Sequence, residues 1–232
     1  TQRKMNTKRF FAAIFAAAIL SISFLACDPK EDDPTTNPTP STDVVKEVYG
    51  FFGKPEAQVL PLLDAKGWTK VSDSAELGVV YNYISADSLK VYAVYSIDNT
   101  IKGAAYSESE SPITSYGKNA SNTNKFISLF ETMEQSLSTI SLLNIAYIGK
   151  IIADSGTFNQ EYYDRAEFLS DFQAKKSTLY FARSVFYGEE MSGNTHLYLN
   201  DEDNESAVFV VFEDNLVIEK LGKTTKNSWF RR

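Results

Sequence analysis

Val91-Tyr92-Ala93-Val94-Tyr95, followed by Asp98-Asn99, finds its match in Val208-Phe209-Val210-Val211-Phe212, followed by Asp214-Asn215. In each copy a strand-forming run of β-branched and aromatic residues ends in a dipeptide whose side chains tolerate turn geometry. A second match precedes the first. Ala57-Gln58-Val59-Leu60-Pro61-Leu62-Leu63-Asp64-Ala65-Lys66 aligns with Ala166-Glu167-Phe168-Leu169-Ser170-Asp171-Phe172-Gln173-Ala174-Lys175. Both segments carry apolar residues at helical spacing. Pro55 suits the first turn of the earlier helix and Gly67 its end. Two matches in the same order argue for an internal repeat, with a longer insert between helix and hairpin in the later copy.

Around these anchors the rest of each unit reads as an antiparallel meander. The first has strands at Trp68–Val71, Val79–Ile84, Leu89–Ile97 and Ile101–Tyr106, with a polar turn over Ser85–Ser88. The second has strands at Leu179–Tyr187, His196–Leu199, Ser206–Glu213 and Leu216–Leu221, with a polar turn over Asn200–Glu205. A further helix precedes each unit, Asp43–Phe52 in the first and Asn124 to about Asn144 in the second. Ile145–Ala153 either extends that second helix or forms an extra strand, and the helix is the preferred reading. The expectation is an α+β fold of two tandem units, each a helix pair on an antiparallel sheet of four strands. The helix and hairpin matches resemble the tandem repeats of the β-lactamase-inhibitor protein fold, which small outer-membrane assembly lipoproteins share.

The amino-terminal stretch carries an address. Residues 1–4 read as lying upstream of a start at Met5. Lys8 and Arg9 precede an apolar run, Phe10 to Phe24, of 15 residues. That is short of the ~18–20 residues that span a bilayer, so it reads as a signal peptide. Phe24-Leu25-Ala26-Cys27 resembles the lipobox of bacterial lipoproteins, with Phe24 where leucine is commoner. The resemblance implies cleavage before Cys27 and acylation of its sulfur, and two or more chains make such anchoring stable. Lys30, Glu31, Asp32 and Asp33 resemble the acidic export signal of Bacteroidota lipoproteins. That implies an outer-membrane lipoprotein facing the cell exterior, the alternative being a periplasm-facing anchor.

Cleavage would remove Arg3, Lys4, Lys8 and Arg9 and no acid, taking the net charge from −7 to −11. Such an acidic chain argues against a nucleic-acid partner, whose phosphates need a basic patch. Cys27 is the only cysteine, so once lipidated it leaves neither a disulfide nor a free thiol. Asp28 to Asp43 holds four of the seven prolines and no aromatic residue, a composition that cannot bury a core. It reads as a semi-extended tether of roughly 50 Å at ~3.1 Å per residue. The expected organisation is leader 1–26, lipidated cysteine and tether 27–43, first unit 44–115, second unit 116–222, and tail 223–232.

Catalytic chemistry is scarce. His196 is the only histidine, which rules out a paired-histidine zinc site, and no nucleophile elbow, phosphate loop or dinucleotide fingerprint occurs. His196 reads as a structural histidine at a strand start. Glu189-Glu190 and Asp201-Glu202-Asp203-Asn204-Glu205 are acidic enough for carboxylate-based hydrolysis, yet solvated turns explain them equally well. The 201–205 cluster also lacks the glycine and later glutamate of a calcium loop. No cofactor and no metal site is expected.

The 13 tyrosines say more. Tyr81 and Tyr83 share one strand face, and Tyr92 lies opposite Val91, Ala93 and Tyr95, which read as core-facing. Tyr81, Tyr83 and Tyr92 are therefore the candidate binding aromatics on an open sheet face. Asp73-Ser74-Ala75 and Asp87-Ser88-Leu89 resemble the O-glycosylation motif of Bacteroidota envelope proteins, making Ser74 and Ser88 candidate acceptors in turns. The leading functional reading is a non-enzymatic binding module meeting an envelope protein. A glycan-binding accessory lipoprotein of a polysaccharide-uptake system comes second, and a carboxylate-dependent hydrolase third.

Overall fold

The computed structural model describes residues 43–75, 77–110, 121–138, 146–176, 178–188, 190–200 and 205–215. Its first half runs α1 (Asp43–Phe51), α2 (Glu56–Asp64), β1 (Thr69–Ala75), β2 (Gly78–Ile84), β3 (Lys90–Ile97) and β4 (Thr100–Glu110). The second runs α3 (Ser121–Ser138), β5 (Ala146–Ala153), β6 (Phe158–Tyr162), α4 (Arg165–Lys175), β7 (Leu179–Tyr187), β8 (Met191–Asn200) and β9 (Glu205–Asp214). The class is α+β, as the periodicities imply. The strands, however, form one nine-stranded antiparallel sheet in the order β1-β2-β3-β4-β9-β8-β7-β5-β6. The two expected four-stranded sheets are thus a single sheet, joined where β4 pairs with β9 from Gly103↔Glu213 to Glu110↔Ser206.

β9 pairs with β8 on one edge and with β4 on the other. The second unit's last expected strand was Leu216–Leu221. The 216–221 segment itself lies outside the described residues. Ile145–Ala153 is corrected as well, since 146–153 is strand β5. Its buried residues Gly149, Ile151 and Ala153 alternate, which is the strand period and not the helical one. Isoleucines at 148, 151 and 152 favour the same state. Asp154, Ser155 and Gly156 follow with φ of 52°, 54° and 86°, and this left-handed turn delivers the chain into β6. β6 pairs with β5 and forms the far edge of the sheet.

The buried side chains of all four described helices belong to one hydrophobic cluster on one face of the sheet. α3 contributes Phe126, Leu129, Phe130 and Met133, a stripe at helical spacing. α4 contributes Phe168 and Phe172, one turn apart, and is capped by the Asp164 side chain accepting from the Glu167 N–H at 2.9 Å. α1 lays down Val45, Val48 and Phe51, and α2 lays down Val59 and Leu63. α4 sits close enough to β5 that a Cβ on Gly149 would lie 2.5 Å from the Phe168 ring, so only glycine fits there. The opposite face of the sheet has a second cluster built from strand residues alone: Val80, Ala93, Tyr95, Ala105 and Val211. Among the described residues no helix is long and apolar enough to cross a membrane.

Candidate functional site

The tyrosines singled out in the sequence do not form an open face. Tyr83 and Tyr92 are 0% and 4% exposed, and Tyr81 is half-buried against the same cluster, under the helices. Each hydroxyl instead donates to a carboxylate. Tyr83 donates to Asp64 at 2.9 Å, and Lys70 donates to the same oxygen at 3.2 Å. Tyr92 donates to Glu47 at 2.5 Å; the other oxygen of Glu47 holds Lys66 at 2.8 Å, whose ammonium sits 4.6 Å above the Tyr92 ring. Tyr81 reaches Glu56 at 3.3 Å. Burial, and then Glu47, push the Tyr92 phenol well above its ordinary range, so it remains a donor. The alternation of Tyr92 against Ala93 and Tyr95 is as read, but the helices pack on the Tyr92 side. Nothing in a single strand could have said so, because both of its faces are apolar.

The remaining sequence candidates fall elsewhere. Cys27 and the run Lys30, Glu31, Asp32 and Asp33 lie outside the described residues. Ser88 is exposed in the turn between β2 and β3 with φ of 61°. Ser74 is also exposed, but on the edge strand β1 and not in a turn. The acidic cluster at 201–204 lies outside the described residues. Among the described residues, no group of three or more histidine, cysteine or acidic side chains is placed to hold a metal ion.

The arrangement with chemical potential is on the face that the described helices leave uncovered, where the sequence pointed only to His196, which lies inside β8 and not at the expected strand start. Strand register places Lys150 (β5) opposite Arg183 (β7), Arg183 opposite His196 (β8), and His196 opposite Phe209 (β9). Their neighbours along the strands, Ile151, Ala182, Leu197 and Val208, all enter the helix-side core. The row itself must therefore face away from the helices. His196 is 1% exposed, its ring stacked on Phe209 at 4.5 Å and edge-on to Phe181 at 6.3 Å. Its Nδ1 has no hydrogen-bond partner. Burial, reinforced by the Arg183 charge, holds its pKa well below the ordinary range, so the ring is neutral at pH 7.

Further along this face, Ser192 pairs with Glu213 and Asn194 with Val211. Glu213 is half-buried, and its apolar surroundings push its carboxyl up to about 8 against the pull of Arg183. A protonated carboxyl there donates a hydrogen bond where an ionised one could not. Asn82, fully buried on β2, leaves both side-chain polar atoms without a partner, an uncommon state for a buried amide. The face thus combines an apolar floor, two cations and several polar atoms whose hydrogen-bonding capacity is unused. Such a surface can recognise a partner. No protein-family model matches this sequence, and comparison with curated proteins and with solved structures returns no match.

The signal that could have found the row is modest: Lys150, Arg183 and His196 each interrupt an otherwise strand-like run rich in apolar residues. Recognising them as one row required the register of three strands.

Proposed function

We propose that the chain is a lipid-anchored envelope protein, displayed on the outer membrane, whose helix-free sheet face binds a protein partner without catalysis. The observation that carries the binding half is that face itself. Helices cover one side of the sheet, while the other presents Lys150, Arg183 and Phe209 beside polar groups left unpaired. The anchoring half rests on the leader, Cys27 and the acidic run after it. Acylation would fix the position of the domain, and the proline-rich tether would set its reach from the bilayer.

The two halves are tested separately. Cys27→Ala should abolish incorporation of a labelled fatty acid and release the protein from the membrane fraction; labelling that persists removes the anchor. For the face, a photo-crosslinking amino acid is placed at Tyr187, half-buried on β7, or at Glu131, exposed on α3. Crosslinks to a discrete envelope protein from the first position only are expected. Equal crosslinking from both positions, or none from either, overturns the assignment of the face.

A further inference from the structure

Two neighbouring strands on the helix-free face repeat the same alternation. β5 presents Ile148, Lys150 and Ile152, and β7 presents Val185, Arg183 and Phe181 directly opposite them. The result is an apolar row, a cationic row and an apolar row, spaced by the roughly 7 Å between alternate residues of a strand. Like charges directly opposite each other destabilise a sheet. Here the repulsion is barely relieved: Lys150 approaches Glu161 only at 3.9 Å, between side chains 33% and 55% exposed. Arg183 is half-buried and has neither a salt bridge nor a side-chain hydrogen bond to any described residue. A partly desolvated guanidinium whose acidic neighbour Glu213 is itself pushed up to about 8 is costly to keep, and it is kept in a chain whose net charge is −7.

We infer that the Lys150–Arg183 pair is a carboxylate-recognition site for an extended, acidic segment of a protein partner, with an aspartate or glutamate between apolar residues at alternate positions. The inference rests on the binding-face reading above. Arg183 would grip the carboxylate through its planar fork, a geometry lysine lacks. Lys150 would add a point charge from the next strand. The half-buried Ile148 and Ile152 on one strand, and Phe181 on the other, would take the flanking apolar residues, as facing sheets interdigitate. Those aliphatic flanks favour a peptide over an acidic sugar, whose ring offers hydroxyls where this surface offers isoleucine.

The test uses the full lipidated chain in detergent. It is titrated against a library of nine-residue peptides with a central aspartate and an apolar residue two positions to either side, each paired with its asparagine twin. Aspartate peptides should bind, with their twins about tenfold weaker, the loss usual for one charge-assisted contact. Arg183→Gln should erase the difference between twins, Arg183→Lys should restore part of it, and Lys150→Gln should shrink it, all without loss of melting temperature. Twins that bind alike, or an Arg183→Gln chain that still discriminates, overturn the site. So does binding of oligogalacturonate with no peptide bound, which would make the ligand a glycan. If the partner crosslinked from Tyr187 is retained equally by Arg183→Gln, the binding face stands and only carboxylate recognition falls.

Discussion

The two halves of the sheet meet their helices with different chemistry. In the first half, tyrosines from the strands reach up between α1 and α2 and end on carboxylates. Tyr81 meets Glu56, Tyr83 meets Asp64, Tyr92 meets Glu47, and Tyr106 meets Glu108, to which Lys125 also donates at 2.5 Å. In the second half, phenylalanines fill the same layer. Phe126 stacks on Phe172 at 5.1 Å, and Phe168 lies within 6.3 Å of Phe126, Phe130, Phe172, Tyr147 and Tyr162. Tyr162 follows the first-half rule by donating to Asp171 at 2.7 Å. Tyr147 breaks it: its buried hydroxyl reaches no carboxylate, the Ser184 hydroxyl beside it is too poorly placed to pair, and burial pushes its pKa well up. One helix-on-sheet geometry is therefore held by directional polar contacts on one side and by packed volume on the other.

Three substitutions put that contrast at risk. Phe168→Ala should have the largest effect, destabilising the protein by about 3–5 kcal/mol in urea unfolding, because five aromatic rings lose a shared neighbour. A loss below about 1 kcal/mol would mean that the second-half core can collapse around the gap, and that volume is not what holds it. Tyr92→Phe should cost less, about 1–2 kcal/mol, since the ring stays and only the hydrogen bond to Glu47 is lost. If it matched Phe168→Ala, the polar contacts would be more than an accessory to packing. Tyr147→Phe should have the smallest effect and the opposite sign, a gain of up to about 1 kcal/mol from deleting an orphaned hydroxyl. Destabilisation there would point to a partner for the hydroxyl and would erase the contrast with Tyr92.

Much of the fold was legible in the chain. The helix at Ala166–Lys175 could be placed because Phe168 and Phe172 recur at helical spacing, and the strands around Val91 and Val208 because each is a β-branched and aromatic run followed by Asp-Asn. The 145–153 segment was misread because short apolar runs carry both periods; Gly149 and the Asp154-Ser155-Gly156 turn were the clues to a strand. The candidate site was not legible. Tyrosines drew attention as exposed aromatics because their hydroxyls suggest water, yet a phenol buried against a carboxylate has the same sequence signature. Lys150 and Arg183 are 33 residues apart and become neighbours only through the β5–β7 register.

Composition and local pattern alone determined the α+β class, the acidic charge, the apolar run that precedes Cys27, and most of the helices and strands. These depend on nearest neighbours and on spacing within one element, which the chain states directly. The tertiary structure decided the rest: that β4 joins β9 to make a single sheet, that the helices cover the Tyr92 face, and that two cations meet on the other. Strand pairing is a contact between distant residues, and a strand apolar on both faces is compatible with either orientation. Only the packing of the whole sheet selects one.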